Sequence, residues 1–324
     1  QLFGVKIPAL LIAILTVTFV LSAFAGNMDR WLIRVYPDDF RTVMQESGGL
    51  HHLDISGVNQ AQGTMDLVVT DAEYRSLLEN YTIEVLRAPG DSRQVDPGYK
   101  TPAENQIILE QFAADYSDIT HLISIGRSYE DRDIWAMKIS DNPTVPEDEP
   151  GVIFNGQHHA REVMSCEVPL DIIEYLCTGY GMDPEVTAWV DRYEIWVIPQ
   201  VNPDGINHVF EVEDLWRKDR TVLAGTECIG IDPNRNYPVF WGECDGSSDD
   251  PCDFTFRGTV PGQSACVTVM MDFVSDLKPV FNVSYHSCAE VVIIPYGCEG
   301  VFTPEHDLLL NIGHTLGSLI QRDD

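Results

Sequence analysis

His159 and Glu162 stand three residues apart in the run Gly156-Gln157-His158-His159-Ala160-Arg161-Glu162-Val163. One turn of helix, or a tight loop, points two such positions the same way. A converging imidazole and carboxylate suit a zinc ion, and a catalytic zinc needs a third protein ligand and one open position. That third ligand can lie far along the chain. The pair alone is a weak signal, because a surface helix gives the same spacing. His158 neighbours the pair, but adjacent side chains generally face apart, so it is not expected to be a ligand. His208, His306 and His314 have no such company and read as surface or packing residues.

The elements that must position this pair can be read around it. Gly151 to Asn155 is a short apolar strand ending just before the motif, and Ser165 to Tyr175 reads as a helix after it. Further along, Glu194 to Val201 is an apolar strand, Val267 to Ser275 a helix, and Pro279 to Tyr285 a strand that delivers His286. Glu104 to Tyr116, Glu167 to Leu176, Pro184 to Val190 and His306 to Gln321 read as helices. Leu122 to Ser128, Asp133 to Ile139 and Val291 to Pro295 read as strands. Short apolar strands alternating with helices predict an α/β fold: a mixed, largely parallel sheet with helices on both faces. In such sheets ligands gather at the carboxyl ends of strands. His159 and His286 both fall there.

The N-terminal part follows a different rhythm. Strand-like Trp31 to Tyr36, helix-like Asp38 to Glu46, strands at Leu50 to Ile55 and Thr64 to Thr70, a helix over Asp71 to Glu79 and a strand over Tyr81 to Leu86 give β-α-β-β-α-β, a ferredoxin-like α+β pattern. The domain reading is therefore a small pro-segment-like unit over 26–90, a Pro- and Gly-containing linker over 91–99, and a large domain over 100–324. Residues 1–25 read as a signal peptide: a basic Lys6, an uncharged run, and the small-x-small ending Ala23-Phe24-Ala25. This predicts a secreted, extracellular protein with no stable membrane association after cleavage. The eight cysteines fit disulfides in that compartment, and the absence of any Cys-x-x-Cys argues against a cysteine zinc site. Twenty basic against 51 acidic residues give a net charge of −31, which excludes a nucleic-acid backbone as partner.

Four more stretches sharpen the chemistry. Asn202-Pro203-Asp204-Gly205 reads as a tight turn after a strand. Leu215-Trp216-Arg217-Lys218 sets an arginine beside an aromatic. Asp232-Pro233-Asn234-Arg235-Asn236-Tyr237 packs an acid, two amides and an arginine into six residues, and Tyr285-His286-Ser287 ends a strand. In order and spacing these resemble the carboxypeptidase A family of zinc metallocarboxypeptidases, from about Tyr99 onward. The resemblance implies His159, Glu162 and His286 as ligands of one Zn2+ per chain, with Asp232 orienting His159 through its other ring nitrogen. It implies Asn234 and Arg235 as the grip on a substrate's terminal carboxylate, for which a planar guanidinium is suited. Arg161 is implied as a further substrate contact, and Arg217 as the catalytic group facing the developing oxyanion. It also implies a Cys228–Cys252 disulfide, and peptide or protein C-termini as partners. The implied reaction is hydrolysis of C-terminal residues by a zinc-activated water.

The family pattern also needs a general-base Glu, preceded by a Tyr, well after the third ligand. Only 38 residues follow His286, and neither Glu299 nor Glu305 matches that pattern. The chain thus reads as incomplete, expected to bind zinc and hydrolyse poorly, with its side-chain specificity unreadable. Two other readings stay open: a secreted, catalytically inactive zinc- or peptide-binding module, and an amidase on the same scaffold.

Overall fold

Two sheets dominate the computed structural model, which describes residues 30–38, 53–91, 94–244, 246–287, 291–298 and 300–320. The expected signal peptide and the expected helix over 38–46, apart from Asp38 itself, lie outside the described residues.

The small sheet holds β1 (Trp31–Tyr36), β2 (Asp54–Asn59), β3 (Thr64–Val69) and β4 (Thr82–Arg87) in the antiparallel order β2-β3-β1-β4. Helix α1 (Asp71–Leu78) starts at a capping box. There the Thr70 hydroxyl accepts from Glu73 N at 3.3 Å, and the Glu73 carboxylate accepts from Thr70 N at 2.7 Å. Ile33, Val35, Met65, Leu67 and Leu77 form the core of this unit. Of the strand expected at Leu50 to Ile55, residues 50–52 lie outside the described residues; β2 runs over 54–59, with a bulge between Ile55 and Gly57.

The large sheet comprises β5 (Thr120–Arg127), β6 (Asp133–Ile139), β7 (Gly151–Gly156), β8 (Glu194–Ile198) and β9 (Phe281–Tyr285), in the order β5-β6-β8-β7-β9. The β5/β6 and β6/β8 pairs are antiparallel, and the β8/β7 and β7/β9 pairs parallel, so two of the four pairings are parallel. All five residues of β8 are buried, as a strand covered on both faces requires. Its alternation divides the core. Ile195 and Val197 pack with Leu109 of α2 (Pro102–Asp115), Ile173 of α3 (Met164–Gly179) and Val186 of α4 (Pro184–Val190). Trp196 and Ile198 face the other way, onto Cys266 and Met270 of α6 (Ala265–Leu277). Each such aliphatic side chain contributes about 1.5–3 kcal/mol on burial. Helix α5 (Pro203–Glu211) lies near the motif. Helix α7 (His306–Leu319) closes the described chain without burying any residue.

Val291 to Pro295 does not form the expected strand. Among the described residues it has no pairing partner, and Val291 and Ile293 are exposed. A hydrophobic run becomes a strand only where a ladder receives it.

The two sheets meet beside the motif. Val68 of β3 is buried in one cluster with Ala160, Ile206, Trp216 and Phe254. Arg87 pairs with Asp214 at 2.6 Å, and Arg30 donates to Cys252 O at 3.0 Å while lying 4.4 Å over the Phe254 ring.

Candidate metal centre

The motif turn is held by its backbone neighbours. A Cβ on Gly156 would lie 2.1 Å from Ser165 O, so only glycine lets β7 end this close to the start of α3. Gln157 follows in the left-handed region, at φ 58°. Ser165 bridges the turn: its Oγ donates to Glu162 O at 2.6 Å and accepts from Gln157 N at 3.2 Å. Ala160 N donates to Arg217 O at 3.0 Å, which ties in the Trp-Arg-Lys segment. Asn202 is fully buried, and its Nδ2 donates to both His158 O and Lys218 O at 3.1 Å. Its Oδ1 accepts from Gly205 N at 3.0 Å. The stretch read as a tight turn is therefore the start of α5, with Asn202 as cap and Pro203 in the first helical turn.

One ligand atom from each of His159, Glu162 and His286 converges within 4.8 Å. His159 Nδ1 lies 2.7 Å from Glu162 Oε1, and His286 Nδ1 lies 2.8 Å from Glu162 Oε2. The two Nδ1 atoms are 3.2 Å apart. Two nitrogens on one tetrahedral zinc at ~2.0–2.1 Å would be separated by ~3.3–3.4 Å. The donor set of two imidazoles and a carboxylate, facing one point, fits zinc in both chemistry and spacing. Burial alone would push the Glu162 carboxyl up, but His159 and His286 hold it well below the usual range. Glu162 therefore faces that point ionised, in the state a ligand needs.

Behind His159, its Nε2 lies 3.2 Å from Asp232 Oδ1, close enough for charge pairing though not formed as a hydrogen bond. Asp232 is fully buried. Burial pushes its carboxyl up, and the neighbouring Arg217 and His159 outweigh that, holding it well below the usual range. Arg217 Nε and Nη2 both reach Asp232 Oδ2 at 2.9 Å.

The arginines differ in their partners. Arg161 is clamped bidentately by Asp54 of β2, at 2.6 Å from each oxygen, and donates to Ile55 O at 3.1 Å. The same carboxylate lies 3.7 Å from Arg217 Nη1. Arg235 sits in the short 3-10 turn Pro233–Arg235. It donates to Gly246 O at 2.6 Å and Asn234 O at 3.1 Å, and pairs with no carboxylate among the described residues. Asn234 beside it is exposed.

His158 lies outside the converging atoms. Its buried ring contacts Tyr237 Oη at 2.8 Å and Ser284 Oγ at 3.2 Å. Burial, with His286 and His159 nearby, lowers it to about 3, so it is neutral. Among the described residues the disulfides are Cys228–Cys252 and Cys244–Cys298, while Cys166, Cys177 and Cys266 are buried thiols. Sequence reasoning gave no role to Asp54, which carries no local signal, nor to Tyr237, which only closes the stretch that starts at Asp232. It also missed the cap role of Asn202, for which Asn-Pro before an apolar run was an available one.

Known proteins resemble this chain in sequence and in fold. The family model described as zinc carboxypeptidase matches residues 106–323. A zinc carboxypeptidase of Saccharothrix mutabilis subsp. capreolus is 36% identical over 62% of this chain and 47% of its own length. A zinc carboxypeptidase A 1 of Anopheles gambiae is 33% identical over 69% of this chain and 51% of its own. The solved carboxypeptidase A of Helicoverpa armigera covers 89% of this chain and 76% of that one, at a TM-score of 0.72 and 20% identity, a likeness of fold. The chain belongs to the zinc carboxypeptidase family. It spans about half the length of the curated relatives it matches.

Proposed function

We propose that this chain carries the metal centre and terminal-carboxylate site of a secreted metallocarboxypeptidase precursor acting on peptide C-termini. The observation that carries the reading is the convergence of His159 Nδ1, His286 Nδ1 and the ionised Glu162 on one point, beside Arg235, which has no acidic partner among the described residues. When bound, zinc supplies Lewis acidity and lowers the pKa of a bound water to near ~7.

The chain's own groups do the rest. Arg235 and Asn234 bind the substrate's free carboxylate, which positions the last peptide bond. Arg217, preorganised by Asp232, donates to the carbonyl oxygen as negative charge develops there. Asp232 fixes the His159 ring from behind.

The N-terminal unit is a masking pro-segment. Its Asp54 carboxylate occupies Arg161 and approaches Arg217, guanidinium groups that would otherwise face substrate, and residues 91–99 are the cleavable connection.

Two titrations test this. The full chain carrying Asp54→Ala is titrated with an N-acylated dipeptide in its free-acid and C-terminally amidated forms. Free acid binding at least ten-fold tighter than amide, together with one zinc per chain, is the expected result. Equal binding of both forms would favour the amidase reading. The wild-type chain should bind the free acid about ten- to a hundred-fold more weakly than the Asp54→Ala chain, as loss of a bidentate contact worth 1–3 kcal/mol predicts. Equal affinity in the two chains would remove the masking role.

A further inference from the structure

His286 is the exposed member of the metal cluster. Its side chain is 29% accessible, against 5% for His159 and 4% for Glu162. It follows β9, whose only sheet neighbour among the described residues is β7. His159 has Asp232 behind its ring, but no carboxylate stands behind His286 among the described residues. Something else must fix where this imidazole points.

We propose that His158 is a positioning residue for His286, and that the Tyr237–His158–Ser284 chain is the device by which it acts. This rests on the metal-centre reading above. The His158 and His286 rings stack with centroids 5.8 Å apart and planes 22° from parallel. The His158 ring is itself pinned at both nitrogens, Nε2 to Tyr237 Oη at 2.8 Å and Nδ1 to Ser284 Oγ at 3.2 Å. A neutral imidazole has one donor and one acceptor nitrogen, and a hydroxyl can serve either, so both contacts hold in either tautomer.

The three residues come from three separate pieces of the site. His158 follows β7, in the turn that carries His159 and Glu162. Ser284 is in β9, opposite Asn155 of β7 and two residues before His286. Tyr237 follows the turn that holds Asp232, Asn234 and Arg235. The relay therefore joins the strand delivering the third ligand to both other parts of the site. Groups behind metal ligands typically change affinity by about 10–100-fold when removed.

The test measures zinc affinity of the full chain by competition with a chromophoric chelator, and separately the thermal midpoint of the metal-free chain. His158→Phe keeps a flat ring and loses both hydrogen bonds. It should weaken zinc binding about 10–100-fold. Tyr237→Phe and Ser284→Ala should each give a smaller loss, and the double variant should approach His158→Phe. His158→Gln, which can still meet one hydroxyl, should recover part of the affinity. The metal-free midpoint of Tyr237→Phe should stay near wild type, which separates positioning from a general loss of packing. If His158→Phe does not fold, the double variant decides. Wild-type zinc affinity in either His158→Phe or the double variant would overturn the proposal. A wild-type chain that binds no zinc would instead sink the metal-centre reading, and this one with it.

Discussion

The two sides of the metal centre are built differently. On the β7 side, the turn that carries His159 and Glu162 is enclosed by α3, α5 and the Trp216–Lys218 segment, and its backbone is tied to Ser165, Asn202 and Arg217. On the β9 side, the strand is only partly buried and α7 buries nothing. The difference teaches that the proposed metal site does not need uniform rigidity. In that reading His159 and Glu162 are fixed by burial, and His286 is brought to them by a strand end and a stacked ring.

The contrast can be broken first at the ligands. His159→Ala removes the buried, oriented ligand and should weaken zinc binding by more than about a thousand-fold. Asp232→Asn should cost about 10–100-fold, because the ring remains but its orienting charge is gone. Competition with a chelator measures both. Equal affinities for the Asp232→Asn and wild-type chains would mean that the β7 side needs no support from behind.

Glycines give a sharper version. Gly156→Ala forces a methyl to 2.1 Å from Ser165 O and should lower stability by about 2–4 kcal/mol, as overpacking with backbone shift does. Gly317, in the last turn of α7, has nothing within 4 Å of a new Cβ. Gly317→Ala should raise stability by up to about 1 kcal/mol through helix propensity alone. Denaturant midpoints check both, and a mild Gly156→Ala would show that the β7 turn can relax.

A smaller effect tests charge at the seam between the two sheets. Glu213 is raised to about 7, by burial first, with Asp214 adding to it against the pull of Arg30, Arg220 and Arg87. A raised carboxyl favours its protonated form in the folded state. Its stabilising contribution is complete below the unfolded value near ~4.3 and is lost as pH rises through about 7. Glu213→Gln should therefore raise the thermal midpoint at pH 8 and leave it nearly unchanged at pH 4. The gain is on the order of 1 kcal/mol after discounting for partial exposure. A midpoint that rises equally at both pH values would locate the effect in packing, not in ionisation.

The β7 side was also the more legible in the sequence. A short apolar strand, a His-x-x-Glu turn and a helix follow one another within a few residues, so local pattern carried the reading. The antiparallel pairings of β5 and β6 were less visible, because strand direction is decided by the connection and not by periodicity. Val291 to Pro295 failed as a strand for want of a partner, which no local pattern reports. Asp54 lies 107 positions from the arginine it clamps, and Tyr237 lies 79 from His158. Contacts of that span are decided by the packing of whole units, so the residues at each end look ordinary on their own.

The Asp54–Arg161 clamp has a consequence for how a precursor of this design would respond to its substrate. A carboxylate fixed to the same chain competes for the guanidinium as though present at about millimolar concentration. A substrate group meant for Arg161, at micromolar concentration, is then outnumbered roughly a thousand-fold. Cutting the connection adds no contact and removes none. It converts a concentration that cannot be diluted into one that can, and on dilution the carboxylate departs.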